Sequence, residues 1–196
     1  MPDDTNVLSI VTPLSENASM IPGPVKEMLA RNSTFAQTYH APPGLMQMAS
    51  TMRASGAGVV VLSCSDPRLN PYQVLGLDQT LKATRVRNAG GRAFDAIRTL
   101  AVLQTIGNPG TIVVMHHTDC GMMHFHDAAI KKALTGIAPE EKQAIEGSAF
   151  GEIAGSIEES VKEDLALLKA SPLIKSTTQL LGMRYDTETG VLTVVD

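Results

Sequence analysis

Gly58-Val59-Val60-Val61-Leu62-Ser63-Cys64 is a β-branched run without charge, and Thr111-Ile112-Val113-Val114-Met115 repeats the pattern further along the chain. Unbroken apolar strands of this kind are covered on both faces, as in parallel sheets. Between them, residues 94–106 place Phe94, Ile97, Ala101 and Gln104 on one side, with Leu100, Leu103 and Ile106 nearby. That is the period of a largely buried helix, and Gly107-Asn108-Pro109-Gly110 ends it. Strand, helix and strand in this order predict an α/β fold with right-handed crossovers.

Working outward, Asn70 caps a helix that opens at Pro71, where a missing N–H costs nothing. Residues 83–86 read as a strand. Ile157, Val161, Leu165 and Leu168 form one helical stripe. Two strand-like runs, 178–185 and 191–195, are joined through Asp186-Thr187-Glu188-Thr189-Gly190 as a hairpin. Toward the N-terminus, residues 1–22 read as an extended arm with Pro13 and Pro22, followed by helices over 24–39 and 45–54. The expected architecture is a central, mostly parallel β-sheet of four strands with flanking helices on both faces, an N-terminal helical arm and an additional C-terminal strand. Residues 1–196 read as a single domain, with 1–55 its arm and helices and 56–196 its α/β core.

The chain has 196 residues, 43% of them hydrophobic, enough for one core. Its net charge is −4 and its 16 Lys and Arg residues form no basic block, which argues against nucleic acid or an anionic membrane as partner. Asp3, Asp4 and Glu16, with no Arg in the first 25 residues, are the opposite of a transit peptide. No apolar run approaches the roughly 18 residues of a spanning helix. A cytoplasmic protein is expected.

Two cysteines, Cys64 and Cys120, are too few for a disulfide scaffold. They could be buried thiols or one disulfide. Yet Cys64 ends the first buried strand, while His117 and Cys120 follow the end of the other, where open parallel sheets build ligand sites. His117-x-x-Cys120 lets one tight turn offer two donors to an ion, and Cys64 can add a third. Two thiolates and an imidazole suit zinc, and three protein ligands leave the fourth position open, as in a catalytic site. His116 adjoins His117 on a strand end and is expected to face the other way.

Cys64-Ser65-Asp66-Pro67-Arg68, the turn Arg87-Asn88-Ala89-Gly90, and His117-Thr118-Asp119-Cys120-Gly121 together resemble the ordered signature of the β-carbonic anhydrases, in its short, compact branch. The resemblance is strongest over residues 56–127. It implies one zinc per subunit on Cys64, His117 and Cys120, and a zinc-bound hydroxide that reversibly hydrates carbon dioxide to bicarbonate. Asp66 would then orient the hydroxide and Arg68 would hold Asp66 off the metal, although Asp66 can be a fourth ligand in a closed state. It also implies a homodimer or dimer of dimers wrapped by the N-terminal helices.

Relatives on this scaffold hydrolyse carbonyl sulfide or carbon disulfide with the same site, so fold alone does not select the substrate. Leu69, Tyr72, Phe94 and Met122 would shape the route to the metal. Met122 and Met123 otherwise read as core filler, and Gly90 and Gly91 either admit close backbone approach or simply open a helix. Asp66 and Arg68 could be a surface salt bridge. His124 and His126 are candidate proton shuttles, more so than His40 or His116, against a plain surface role. A non-catalytic zinc or bicarbonate-binding protein and a Cys64–Cys120 thiol switch are the rivals from other classes, and neither needs the Asp66–Arg68 pair.

Overall fold

The computed structural model describes residues 21–78 and 80–196. The expected arm over 1–22 lies almost wholly outside them. The chain divides into two compact units at Pro43. In the first, helix α1 (Gly23–Ala36) starts with Pro24 in its first turn, and Arg31 pairs with Glu27 one turn away at 2.7 Å. The helix stops short of the expected residue 39, because Gln37 and Thr38 bond back to Thr34 and Phe35 in tightened i→i+3 fashion.

The second unit runs from residue 44. Its elements are α2 (Leu45–Ser55), β1 (Val59–Cys64), α3 (Pro71–Val74), β2 (Thr84–Asn88), α4 (Ala93–Gly107), β3 (Thr111–His117), α5 (Gly121–His124), α6 (Asp127–Ile137), α7 (Lys142–Gly147), α8 (Ile157–Ala170), β4 (Gln179–Tyr185) and β5 (Leu192–Val195). The sheet order is β2-β1-β3-β4-β5, parallel throughout except for the antiparallel β4–β5 pair. Four parallel strands and an added C-terminal strand are therefore as expected. In the hairpin, the Asp186 carboxylate accepts from the Glu188 and Thr189 amides.

Alternation along β1 and β3 sorts the core. Val60, Leu62, Ile112 and Val114 pack against Ala93, Ala96 and Leu100 of α4 and Leu168 of α8. Val61, Val113 and Met115 face Leu69, Ile153 and Ile157, with the single-turn helices α3 and α5 supplying Val74, Met122 and Met123. The two longest helices of this unit, α4 and α8, thus lie on one face, and the single-turn helices α3 and α5 with their loops cover the other. Gln104, on the buried side of α4, satisfies its amide with Thr178 Oγ1 at 2.7 Å and the Lys175 amide. Among the described residues no helix is long and apolar enough to cross a membrane.

A single 3-10 turn, Ala89–Gly91, joins β2 to α4, and both glycines have φ near +72°. A Cβ on Gly91 would sit 2.9 Å from the backbone nitrogen of Cys64 and from the Ser63 carbonyl carbon. Close backbone approach, not merely helix entry, demands this glycine. Gly91→Ala should cost about 2–4 kcal/mol from left-handed strain and overpacking. A denaturant midpoint unchanged from wild type would show that the strand end can shift at little cost.

Candidate metal centre

Cys64, His117 and Cys120 converge: one donor atom from each lies within 4.8 Å of the others, and all three residues are buried. β1 delivers Cys64, β3 delivers His117, and the turn Thr118–Cys120 brings the second sulfur back. The two sulfurs are 3.8 Å apart and unbonded, well beyond a disulfide's ~2 Å. His117 Nδ1 donates to the Thr118 carbonyl at 2.9 Å, which in the neutral ring leaves the lone pair on Nε2. Nε2 is buried and has no hydrogen-bond partner among the described residues. An orphaned nitrogen beside two sulfurs is a donor set that suits zinc, so the residues fit that metal.

The electrostatics of the cluster are those of a pair sharing one proton. The Cys64 thiol is lowered well below its usual range, chiefly because Cys120 donates to it; burial opposes this, and the Asp66 amide helps. Cys120 is pushed up by that same bond to Cys64 and by burial, since its ionisation would set two thiolates side by side. A metal taken up by both sulfurs would therefore expel the Cys120 proton. Between pH 7 and 8, zinc loading of the metal-free protein should release about one proton, and affinity should fall about tenfold per pH unit lowered. Calorimetry in buffers of different ionisation enthalpy reads this directly, and proton-neutral uptake would contradict it.

Asp66 and Arg68 meet beside the cluster. Arg68 Nε donates to Asp66 Oδ1 at 3.1 Å, Nη2 donates to Oδ2 at 2.8 Å, and the Arg68 amide adds 2.8 Å to Oδ1. These bonds hold the Asp66 carboxyl down to about 2, mainly through the guanidinium and against burial, and raise Arg68. Asp66 Oδ2 lies 3.9 Å from His117 Nε2. The carboxylate therefore borders the cluster while both its oxygens are occupied by Arg68.

Two further residues belong to this environment, and the sequence reading gives neither a role. Asp119, between the donors His117 and Cys120, accepts from Arg68 Nη1 through Oδ2 at 2.6 Å and from Nη2 through its carbonyl at 2.7 Å. Its carboxyl is lowered by Arg68 and then by His124. Arg87 reaches from β2 to the carbonyls of Cys64, Asp66 and Leu69 at 3.0, 2.7 and 2.6 Å, stapling the loop that carries Cys64 and Asp66. Its place in the 87–90 signature is the one sequence cue to it.

The remaining candidates separate. His116 is fully buried and faces away from the cluster, to Ser160 Oγ at 2.8 Å and Asp164 Oδ2 at 3.2 Å on α8. Buried Asp164 also accepts from the Ala93 amide at 2.9 Å and forms an ion pair with Arg92, whose Nε lies 3.3 Å away. His124 is exposed and bonds Asp119 Oδ1 at 2.8 Å, while His126 bonds Glu152 at 2.7 Å. His40 Nδ1 donates to the Thr38 carbonyl at 3.0 Å, far along the chain from the cluster. Met122 and Met123 pack on the core, Leu69 is fully buried, Tyr72 lies under Arg85, and Phe94 is partly exposed.

Residues 59–192 match the family described as Carbonic anhydrase. Beta-carbonic anhydrase 1 of Mycobacterium tuberculosis is 33% identical over 141 residues, covering 70% of this chain and 81% of that protein. Carbon disulfide hydrolase of Acidianus sp. (strain A1-3) is 32% identical over 149 residues, 66% of this chain and 72% of that one. The crystal structure of a carbonic anhydrase from Streptococcus mutans superposes with a TM-score of 0.71 at 32% identity, covering 90% of this chain and all of that one.

Proposed function

The chain belongs to the β-carbonic anhydrase family, and from that premise we propose that it is an enzyme that hydrates carbon dioxide to bicarbonate and a proton, with Cys64, His117 and Cys120 as zinc ligands and Asp66 and Arg68 as catalytic groups. Zinc held by the three donors would supply Lewis acidity, lowering the pKa of water toward neutrality. The observation that carries the reading is the placement of one ionised carboxylate, Asp66, beside the unpartnered His117 Nε2 and locked by Arg68. Held well below the usual carboxylate range, Asp66 stays an acceptor at neutral pH. Its Oδ2 can take a hydrogen bond from a water entering the cluster and so aim the oxygen lone pair at the electrophilic carbon. Arg68 keeps that carboxylate from swinging onto the donor atoms. A zinc-storage or bicarbonate-binding role would not require this pair.

The same residues act equally on other linear electrophiles, and a carbon disulfide hydrolase is among the relatives. One zinc-loaded preparation should therefore be assayed for carbon dioxide hydration and for hydrogen sulfide release from carbonyl sulfide and carbon disulfide. Hydration exceeding both hydrolyses supports the assignment, and hydrolysis alone moves it to the sulfur substrates. A cytoplasmic setting, which keeps both thiols reduced, suits the centre. A homodimer or dimer of dimers completes the reading, in line with the prevalence of two-fold assemblies.

A further inference from the structure

Four N–H groups of the Arg68 guanidinium are committed, and only two of them to Asp66 side-chain oxygens. The other two reach Asp119, one to its carboxylate and one to its carbonyl. Asp119 sits at φ +53°, a left-handed conformation that an L residue other than glycine rarely adopts. In that conformation both its main chain and its side chain meet a single guanidinium. Arg68 therefore bridges the loop after β1, which carries Cys64 and Asp66, to the turn after β3, which carries His117 and Cys120.

The bridge matters because the Arg68 side chain is half exposed on a flexible stem, and an ion pair of that kind holds weakly in water by itself. Asp66 needs firm restraint, since its Oδ2 is already within 3.9 Å of His117 Nε2. We propose that Asp119 is a positioning residue that fixes the Arg68 guanidinium and thereby keeps Asp66 off the metal position. His124, bonded to the second Asp119 oxygen, steadies that carboxylate from the solvent side. The proposal rests on the zinc-centre reading and deepens it.

Cobalt(II) loaded in place of zinc gives a visible spectrum that reports the fourth ligand. Asp119→Ala should still bind about one cobalt per chain, take on the spectrum of Arg68→Ala, and lose that change when Asp66→Ala is added. Turnover of zinc-loaded Asp119→Ala should fall about 10–100-fold, the usual cost of losing a group that orients the groups around a metal. In an Arg68→Ala background the same replacement should add little. Asp119→Asn, which can still accept from Nη1, should lie between wild type and Asp119→Ala, and it serves if the alanine variant does not fold. A metal-loaded Asp119→Ala with the wild-type spectrum, or losses that multiply fully in the Arg68→Ala background, would overturn the proposal. So would a wild type that binds no cobalt. Absence of every assayed activity with the spectral changes intact would instead remove the proposed reaction and leave the positioning role supported.

Discussion

Cys120→Ser should leave the purified protein with less than about a tenth of a zinc per chain and turnover below about 1% of wild type, because a hard, protonated hydroxyl replaces a soft thiolate. Cys64→Ser should match it. Both positions are buried, so the loss could be mistaken for unfolding. Far-UV circular dichroism of the metal-free wild type and of both variants separates the two, and the three spectra should coincide. The prediction also divides the metal centre from a thiol switch: a switch would need the sulfurs to close from 3.8 Å to bonding distance, and its loss would leave zinc content untouched. A fully loaded, active Cys120→Ser protein would discard the ligand assignment.

How much of this was legible follows from what each residue buries. β1 and β3 were readable because their apolar runs match real burial on both faces of the sheet. α4 was readable as a helix, but the side it buries runs through Ala93, Ala96, Leu100 and Gln104 and leaves Phe94 exposed, because the small alanines let the helix lie close on the sheet. The three donors were readable because strand ends and a short turn restrict where their side chains can go. α6 was not, although Ile130, Leu134 and Ile137 have helical spacing: none of its residues is buried, so nothing in the core selects the pattern. Asp119 and Arg87 were hidden for a different reason. Their partners are carbonyls and a guanidinium distant in sequence, and such contacts follow from how two loops dock, which a linear pattern does not encode. Gly91 was half legible, since its turn was visible and its contact with the Ser63–Cys64 backbone was not.

Asp66→Ala and Arg68→Ala should each lower turnover by about 10²-fold or more, the range for removing a positioned catalytic group, while zinc remains near one per chain. The two losses have different origins. On the proposed mechanism, the first variant lacks the carboxylate that orients the attacking water. Without Arg68, the freed carboxylate can move across the 3.9 Å to the donor cluster and occupy the place where that water must sit. Removing the carboxylate as well should then undo the second defect and leave only the first, so the double variant should be no slower than Asp66→Ala alone. The pH dependence has a definite sign. Because the Asp66 carboxyl is lowered to about 2 in the folded protein, the ionised pair is intact above the usual carboxylate range and is lost only as pH falls through about 2. Protonation of Asp66 therefore contributes no change between pH 5 and 8, and the ratio of wild-type to Asp66→Ala turnover should stay constant across that interval in stopped-flow assays. Single variants within twofold of wild type would reduce the pair to a surface salt bridge, and a ratio that collapses toward pH 5 would mean that Asp66 gains its proton far above the value its bonds to Arg68 dictate.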